Sequence, residues 1–360
     1  FLVLREKEAA QPRLRVLNIE ANKSHNIKFK EDYYTIGLGY NPDYETDTLQ
    51  FNYSSYITPG TIYNYHMETK EKRIVKRRKW MNNKFDFYKT KRVWATAKDG
   101  KKIPITLFYS KWRAINKKEP QKNKVLLTSY GAYGSGQGVS FNPSLFPLIN
   151  RGFIYAVAHI RGGNDLGKKW HLDGKMLNKK STFTDFISCA EYLIAEEYAT
   201  KGNITIEGAS AGGLLMGAVA NMRPELFKAV ILDVPFVDVV NTMLDDKLPL
   251  TTGEYEEWGN PNDKKYYNYM KSYSPYENVT KKEYPPMFFF TGINDSRVGY
   301  WEPAKMVAKL RTLKTDNNIL LLKTNLNAGH GGDSGRYSTY KDLAMKYALI
   351  FELYRNSATH

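Results

Sequence analysis

The sequence predicts an α/β protein in which a mostly parallel sheet, covered on both faces, follows a smaller antiparallel β module. Three observations predict it. From about residue 92 onward, short apolar strands alternate with helical patterns. Residues 1 to about 80 carry short strands and turn signals with no helical period. A Gly-x-Ser-x-Gly turn joins one of the later strands to a helix of small residues.

The front module reads as strands at 13–19, 33–38, 48–53 and 61–67, with turns at Asn41-Pro42-Asp43, Thr58-Pro59-Gly60 and 67–70. Phe1 opens on a strand already under way, which points to an N-terminus that is a cut, so a missing leader says little about export. This spacing fits propeller blades. At about 40 residues a blade, two blades fill the stretch, too few to close a propeller. Residues 70–91 read as a polar, strongly basic connection.

Beyond it, 92–97 and 103–109 read as strands joined at Asp99-Gly100. Apolar strands follow at 125–128, 153–158, 204–207, 229–233, 286–291 and 319–324. Helices are expected at 181–199, with a Ser/Thr start, and at 211–221, 301–313 and 340–354. In such sheets ligands bind beyond the carboxyl ends of the strands.

Composition narrows the function classes. No apolar run approaches the roughly 20 residues of a membrane helix. The single cysteine, Cys189, lies in an amphipathic helical stretch and reads as a buried thiol, with no disulfide or cysteine metal cluster to form. The net charge of +16 is uneven: residues 1–124 hold 27 Lys/Arg against 13 Asp/Glu, and residues 125–360 hold 26 against 24. Without a zinc-finger, basic-zipper or RNA-binding motif, this excess reads as a solvated surface and not as a nucleic-acid site.

The chemistry centres on Gly208-Ala209-Ser210-Ala211-Gly212, preceded by a strand and followed by a helix pattern. That context is a nucleophile elbow, the turn of an α/β-hydrolase fold that exposes a serine and aims the next N–H, here of Ala211, at a developing oxyanion. A serine needs a base, and in this fold the acid and then the histidine follow it in the chain. Of six histidines only His330 and His360 follow Ser210, and His360 is the last residue. His330 sits in a small-residue loop after an apolar strand. Asp295 sits just beyond a strand, where it can orient the imidazole. Asp233 also ends a strand and stays an alternative.

Seven ordered segments carry a resemblance: Ser129–Gly134, Ala158–Gly163, Gly208–Gly213, Leu248–Asn260, Asn294–Val298, Tyr300–Lys305 and Ala328–Gly332. Over 92–356 the chain resembles the catalytic domain of the prolyl oligopeptidase family of serine peptidases, and within it the oligopeptidase B branch. Residues 1–80 resemble the last blades of that family's propeller. The expected architecture is a partial β-propeller over 1–80 and an α/β-hydrolase catalytic domain over 81–360.

The resemblance implies the same triad, Ser210, Asp295 and His330. It adds Tyr130 as the side-chain half of the oxyanion hole, with the Ala211 N–H as the other half. Unaided, Tyr130 reads as a core tyrosine at a strand end. Arg297 matches an arginine that holds substrate backbone carbonyl. Glu254 and Glu256 fall where oligopeptidase B has acidic residues for the side chain before the scissile bond, with Tyr133 as an aromatic wall. Paired carboxylates suit a guanidinium better than an ammonium. Two aspartates that line the next upstream pocket in oligopeptidase B are replaced here by Gly138 and Ser140. Gly163-Asn164-Asp165 stands where relatives read Gly-Gly-Glu.

The expectation is a serine oligopeptidase acting after Arg, then Lys, through an acyl-enzyme on short peptides. It implies no metal or organic cofactor, no nucleic acid and no membrane, with the remainder of the propeller as a further partner. A single cysteine and the resemblance favour the cytoplasm and leave the periplasm open. Proline or broad specificity, an esterase on the same scaffold, and a silent basic binding module stay open as alternatives.

Overall fold

The structure, a computed structural model, describes residues 1–80, 85–113, 115–116, 118–335 and 337–356. The start of the expected catalytic domain at 81, and His360, lie outside the described residues. No helix among the described residues is long and apolar enough to cross a membrane.

The first strands form two antiparallel sheets. β1 (Leu2–Glu8), β2 (Gln11–Asn18) and β3 (Lys23–Asn26) make one, in that order. β4 (Thr35–Leu38), β5 (Thr48–Ser54), β6 (Thr61–His66) and β7 (Lys72–Arg77) make the other. Leu14, Val16, Ile36, Phe51 and Tyr65 bury the space between them. Two elements differ from expectation. β3 fills a stretch with no strand pattern, and β7 lies inside the supposed connection. All six residues of β7 are exposed, so no alternation marks it, and it is a strand because β6 supplies its hydrogen bonds.

The second part is one eight-stranded sheet. Its strands are β8 (Tyr88–Thr96), β9 (Lys102–Ser110), β10 (Lys124–Thr128), β11 (Phe153–Ala158), β12 (Ile204–Ala209), β13 (Phe227–Asp233), β14 (Met287–Gly292) and β15 (Leu320–Asn325). The spatial order is β15-β14-β13-β12-β10-β11-β9-β8. β10 to β15 run parallel, and β8 and β9 close the far edge antiparallel. Successive side chains of a strand face opposite ways. Val125, Leu127, Met287 and Phe289 therefore pack under the helices Lys180–Ala195, Ala211–Met222 and Trp301–Leu313, while Leu126, Phe288 and Phe290 pack under Ser338–Asn356. Cys189 is buried in the first of these layers.

The helix expected at 181–199 with a Ser/Thr cap starts instead at Lys180, has no side-chain cap, and ends at Ala195. The hydroxyls that read as caps face elsewhere: Ser181 donates to the Asn178 carbonyl (2.7 Å) and Thr182 to the Arg161 carbonyl (3.0 Å). Glu197 turns left-handed (φ 61°) and stops the run.

The two parts are interlocked. Tyr56, from the β5–β6 loop, stacks on Phe108 of β9 (4.8 Å) inside a cluster with Val139, Leu145 and Ile149. Arg92 of β8 donates to the Ala9 carbonyl (2.7 Å), and the Phe141 N–H donates to Ser54 Oγ (3.0 Å).

β12 delivers the elbow. Ser210 sits at φ 57°, ψ −120°, outside the ordinary regions for an L-residue. Its N–H donates to the Asp233 carbonyl (2.9 Å), and its own carbonyl accepts from Gly213 (2.8 Å) and Phe236 (3.1 Å). A Cβ at 208 would stand 2.3 Å from the Gly212 carbonyl oxygen, so only glycine lets the helix close on the strand there.

The loop after β13 is held by a buried acid. Glu302 accepts the N–H groups of Val237 and Asp238 (both 2.9 Å) and the Thr242 hydroxyl (2.7 Å). Burial raises its pKa to about 7, against the opposing pull of those donors.

Two consequences are measurable. Strain of about 1–3 kcal/mol at a residue forced to positive φ makes Ser210→Gly more stable than Ser210→Ala by about 1 kcal/mol after the entropic cost of glycine; equal urea midpoints would remove the strain. For Glu302, the native state holds a proton that the unfolded chain releases from about pH 4.5 upward. Stability from this group is therefore complete below that pH and is lost as pH rises through about 7. Glu302→Gln flattens the fall in melting temperature between about pH 5 and pH 8, a change worth roughly 3 kcal/mol at most.

Candidate active site

Asp295 follows β14 at its carboxyl end and is buried. One oxygen faces His330 Nδ1 at 2.7 Å, and the other accepts the N–H groups of Arg297 (2.9 Å) and Val298 (3.0 Å). Burial alone would raise the Asp295 pKa, but the hydrogen bonds from His330, Val298 and Arg297 outweigh it and hold the carboxyl below its usual range. A permanent carboxylate at Nδ1 assigns that nitrogen the proton and leaves Nε2 as the base. Asp233 is engaged elsewhere: it pairs with Lys346, which also reaches Glu207 (3.2 Å).

Ser210 and Ala211 line a cavity of about 530 Å³ with Tyr130, Tyr133, Glu254, Trp258, Asp295 and Arg297. His330 lines the adjoining concavity on the other side of the elbow, with Gly208 and Ala209. Among the described residues no hydrogen bond joins His330 to Ser210. Such bonds are commonly long before substrate is engaged. Burial raises the Tyr130 phenol above its ordinary pKa while contact with the Ser210 hydroxyl pulls it down, so it stands beside the serine as a protonated donor.

The cavity is walled by Phe236, Met243, Leu248, Trp258 and Trp301 and carries Glu254 among these apolar side chains. Glu254 Oε2 accepts from the Tyr133 hydroxyl (2.6 Å) and from Trp258 Nε1 (2.9 Å). Burial, then the hydrogen bond to Glu254, pushes the Tyr133 phenol far up, so it stays a donor. Tyr133 is itself left-handed (φ 58°), and its rings' neighbours are Tyr130 (6.2 Å) and Trp258 (5.6 Å).

Glu256 is not in this cavity: its side chain is exposed. The inward acid is Glu257, which accepts the Tyr133 N–H (2.8 Å) on one oxygen and faces His171 Nε2 (2.8 Å) on the other. The turn Tyr255–Trp258 is helical. Residues three and four apart share a helical face, so 254, 257 and 258 point together and 256 points away. That spacing was the available signal. Lys179, unremarked in the sequence, is buried behind the cavity; its Nζ donates to the Gly131 carbonyl (2.5 Å) and lies 4.9 Å from the Trp258 ring. Burial lowers its pKa to about 8, with Glu257 opposing.

The departure at Gly163-Asn164-Asp165 now has a consequence. Asp165 is buried and bridges His159 Nδ1 (3.0 Å) to the Gln137 N–H (3.1 Å), which pins the loop after Tyr133. Gly138 on that loop lies against Thr35 of β4, where a Cβ would come within 3.0 Å of the hydroxyl.

Comparison with known proteins identifies the family. Residues 139–356 match the prolyl oligopeptidase family, and residues 1–78 match the prolyl oligopeptidase N-terminal β-propeller domain. The chain is 47% identical to dipeptidyl aminopeptidase BI of Pseudoxanthomonas mexicana, over 98% of this chain and 48% of that protein. It is 45% identical to protease 2 of Moraxella lacunata, over 91% of this chain and 47% of that protein. Oligopeptidase B from Trypanosoma brucei superposes with a TM-score of 0.91 at 41% identity, over 98% of this chain and 51% of that one. The chain thus spans about half the length of the relatives it matches. A strained serine on a central parallel strand, an Asp295–His330 pair beyond two later strands and these matches lead to one assignment: the chain belongs to the prolyl oligopeptidase family, as an α/β-hydrolase domain preceded by part of a propeller.

Proposed function

We propose that the protein is a serine endopeptidase that hydrolyses oligopeptides on the carboxyl side of Arg, then Lys. The observation that carries the specificity is Glu254: a carboxylate held by two neutral donors beside the apolar wall of Phe236, Met243, Leu248, Trp258 and Trp301 in the cavity that also holds Ser210. A basic side chain has an apolar stem and a charged head, and this cavity offers a matching surface to each. The fork of Arg can use both oxygens of a carboxylate, and the Lys ammonium acts as a point charge.

In this reading Ser210 Oγ adds to the peptide carbonyl as its proton passes to His330 Nε2. The Tyr130 hydroxyl and the Ala211 N–H donate to the oxyanion. His330 then returns the proton to the departing amine, leaving an acyl-enzyme that water cleaves with the same base. The transfer requires the imidazole to close on Ser210. In the same reading Arg297, which is exposed and lines the cavity, receives a substrate carbonyl.

A second reading follows the name of the Pseudoxanthomonas mexicana relative: release of dipeptides from a free amino terminus. It requires a carboxylate placed for that amine two residues ahead of the bond. Acetylating the substrate terminus abolishes cleavage under that reading and spares it under ours.

The test is a panel of acetylated amides with Arg, Lys, Pro or Ala before the scissile bond. Arg is expected to give the highest kcat/KM, and Glu254→Gln to reduce the Arg advantage over Ala by about tenfold to a hundredfold. Equal rates for Arg and Pro would overturn the reading. Tyr130→Phe is expected to lower kcat by about 10²-fold with little change in KM. Burst kinetics that leave kcat untouched would take Tyr130 out of the oxyanion hole.

A further inference from the structure

Tyr133 has a groove on its other side. This second concavity, of about 460 Å³, is bordered by Arg5, Glu6 and Lys7 of β1, by Tyr133, and by Asn164, Lys168 and His171. Arg5 and Lys7 are two apart on a strand and so project to the same side. The acids of the same strand do not neutralise them: Glu6 pairs with Arg15 and Glu8 with Arg13, both on β2. Among the described residues, Arg5, Lys7 and Lys168 have no carboxylate within ion-pair distance.

Lys7 is nevertheless well placed. Its Nζ donates to Asn164 Oδ1 (2.6 Å), a neutral partner that takes one of three ammonium donors and leaves two. A Cβ on Gly136 would come within 3.0 Å of that Nζ, so the loop after Tyr133 runs directly beneath the ammonium. His171 is on the floor, its Nε2 committed to Glu257. The groove therefore gathers three cations that have no ion-pair partner among the described residues, with Glu6 on the same border, a single aromatic ring away from the cavity that holds Glu254.

We propose that this groove is a substrate subsite for a carboxylate: an acidic side chain one or two residues upstream of the residue held at Glu254. The inference rests on the Glu254 reading for its register. The position follows from Tyr133, which borders both this groove and the cavity that holds Glu254. An extended peptide advances about 3.3 Å per residue with side chains alternating, so one or two steps carry it past Tyr133. Substrates would then pair an acidic residue with the basic one. The same cations disfavour a free amino terminus here, which sets the groove against dipeptide release.

The experiment is calorimetric titration of the Ser210→Ala protein with acetylated peptides that span the scissile bond. The residue before the bond is Arg or norleucine, and Glu, Ala or Lys stands one or two residues upstream. At about 0.05 M salt the Glu peptide is expected to bind about threefold to tenfold more tightly than its Ala counterpart at one of the two positions, and the Lys peptide more weakly. In an Arg5→Gln/Lys7→Gln variant, which removes both charges and leaves a neutral amide at each position, the Glu-to-Ala ratio falls toward one, as it does at about 0.5 M salt. Equal binding of Glu, Ala and Lys peptides at both positions overturns the subsite, as does a ratio that survives the double variant or a Glu peptide that does not bind. The norleucine series separates the two claims. A Glu-to-Ala ratio retained there with no gain from Arg supports the groove and overturns the Glu254 reading.

Discussion

A serine held at φ 57° and ψ −120° is a conformation the chain abandons unless neighbouring strands insist on it. The insistence comes from the middle of the parallel sheet. The Ser210 N–H is tied to the Asp233 carbonyl at the end of β13, and the Ser210 carbonyl is tied to the N–H groups of Gly213 and Phe236. The side chain of Asp233 is in turn joined through Lys346 to Glu207 on β12, so the last helix clamps the carboxyl ends of both strands. Phe236 then enters the cavity wall, and Glu302 fixes the residues just after it. Position of the nucleophile and shape of the cavity thus share one support.

The two inward acids divide the work by the partners they have. Glu257 is buried and spends its oxygens on the Tyr133 N–H and His171, with the Lys179 charge nearby; a buried carboxylate needs such compensation. Glu254 accepts hydrogen bonds from two neutral donors, a phenol and an indole. Glu257 holds the backbone of Tyr133, and the hydroxyl of Tyr133 holds Glu254. One acid is buried scaffold, and the other lines the cavity beside Ser210.

Much of this was legible without coordinates, and the reasons are local. The elbow at 208–212 was readable because glycine spacing, strand and helix occur within one short segment, and the strands of the large sheet were readable as short apolar runs, though their spatial order was not. The Asp295–His330 pairing rested on chain order in the fold, a rule about connection that survives without contacts. What escaped was directional or long-range. Glu256 and Glu257 are adjacent in sequence and opposite on the helix, and a list of acids does not say which faces in. β7 has no buried face to show a period, and Lys179 reads as one of many basic residues until packing encloses it.

That enclosure gives Lys179 a further property. An amine whose pKa lies near 8 is substantially unprotonated in mildly alkaline solution. Burial beside Trp258 and the Gly131 turn keeps reagents from it. The rate at which this one amine is acylated, relative to the exposed ones, is a clock for how often the wall behind the cavity parts.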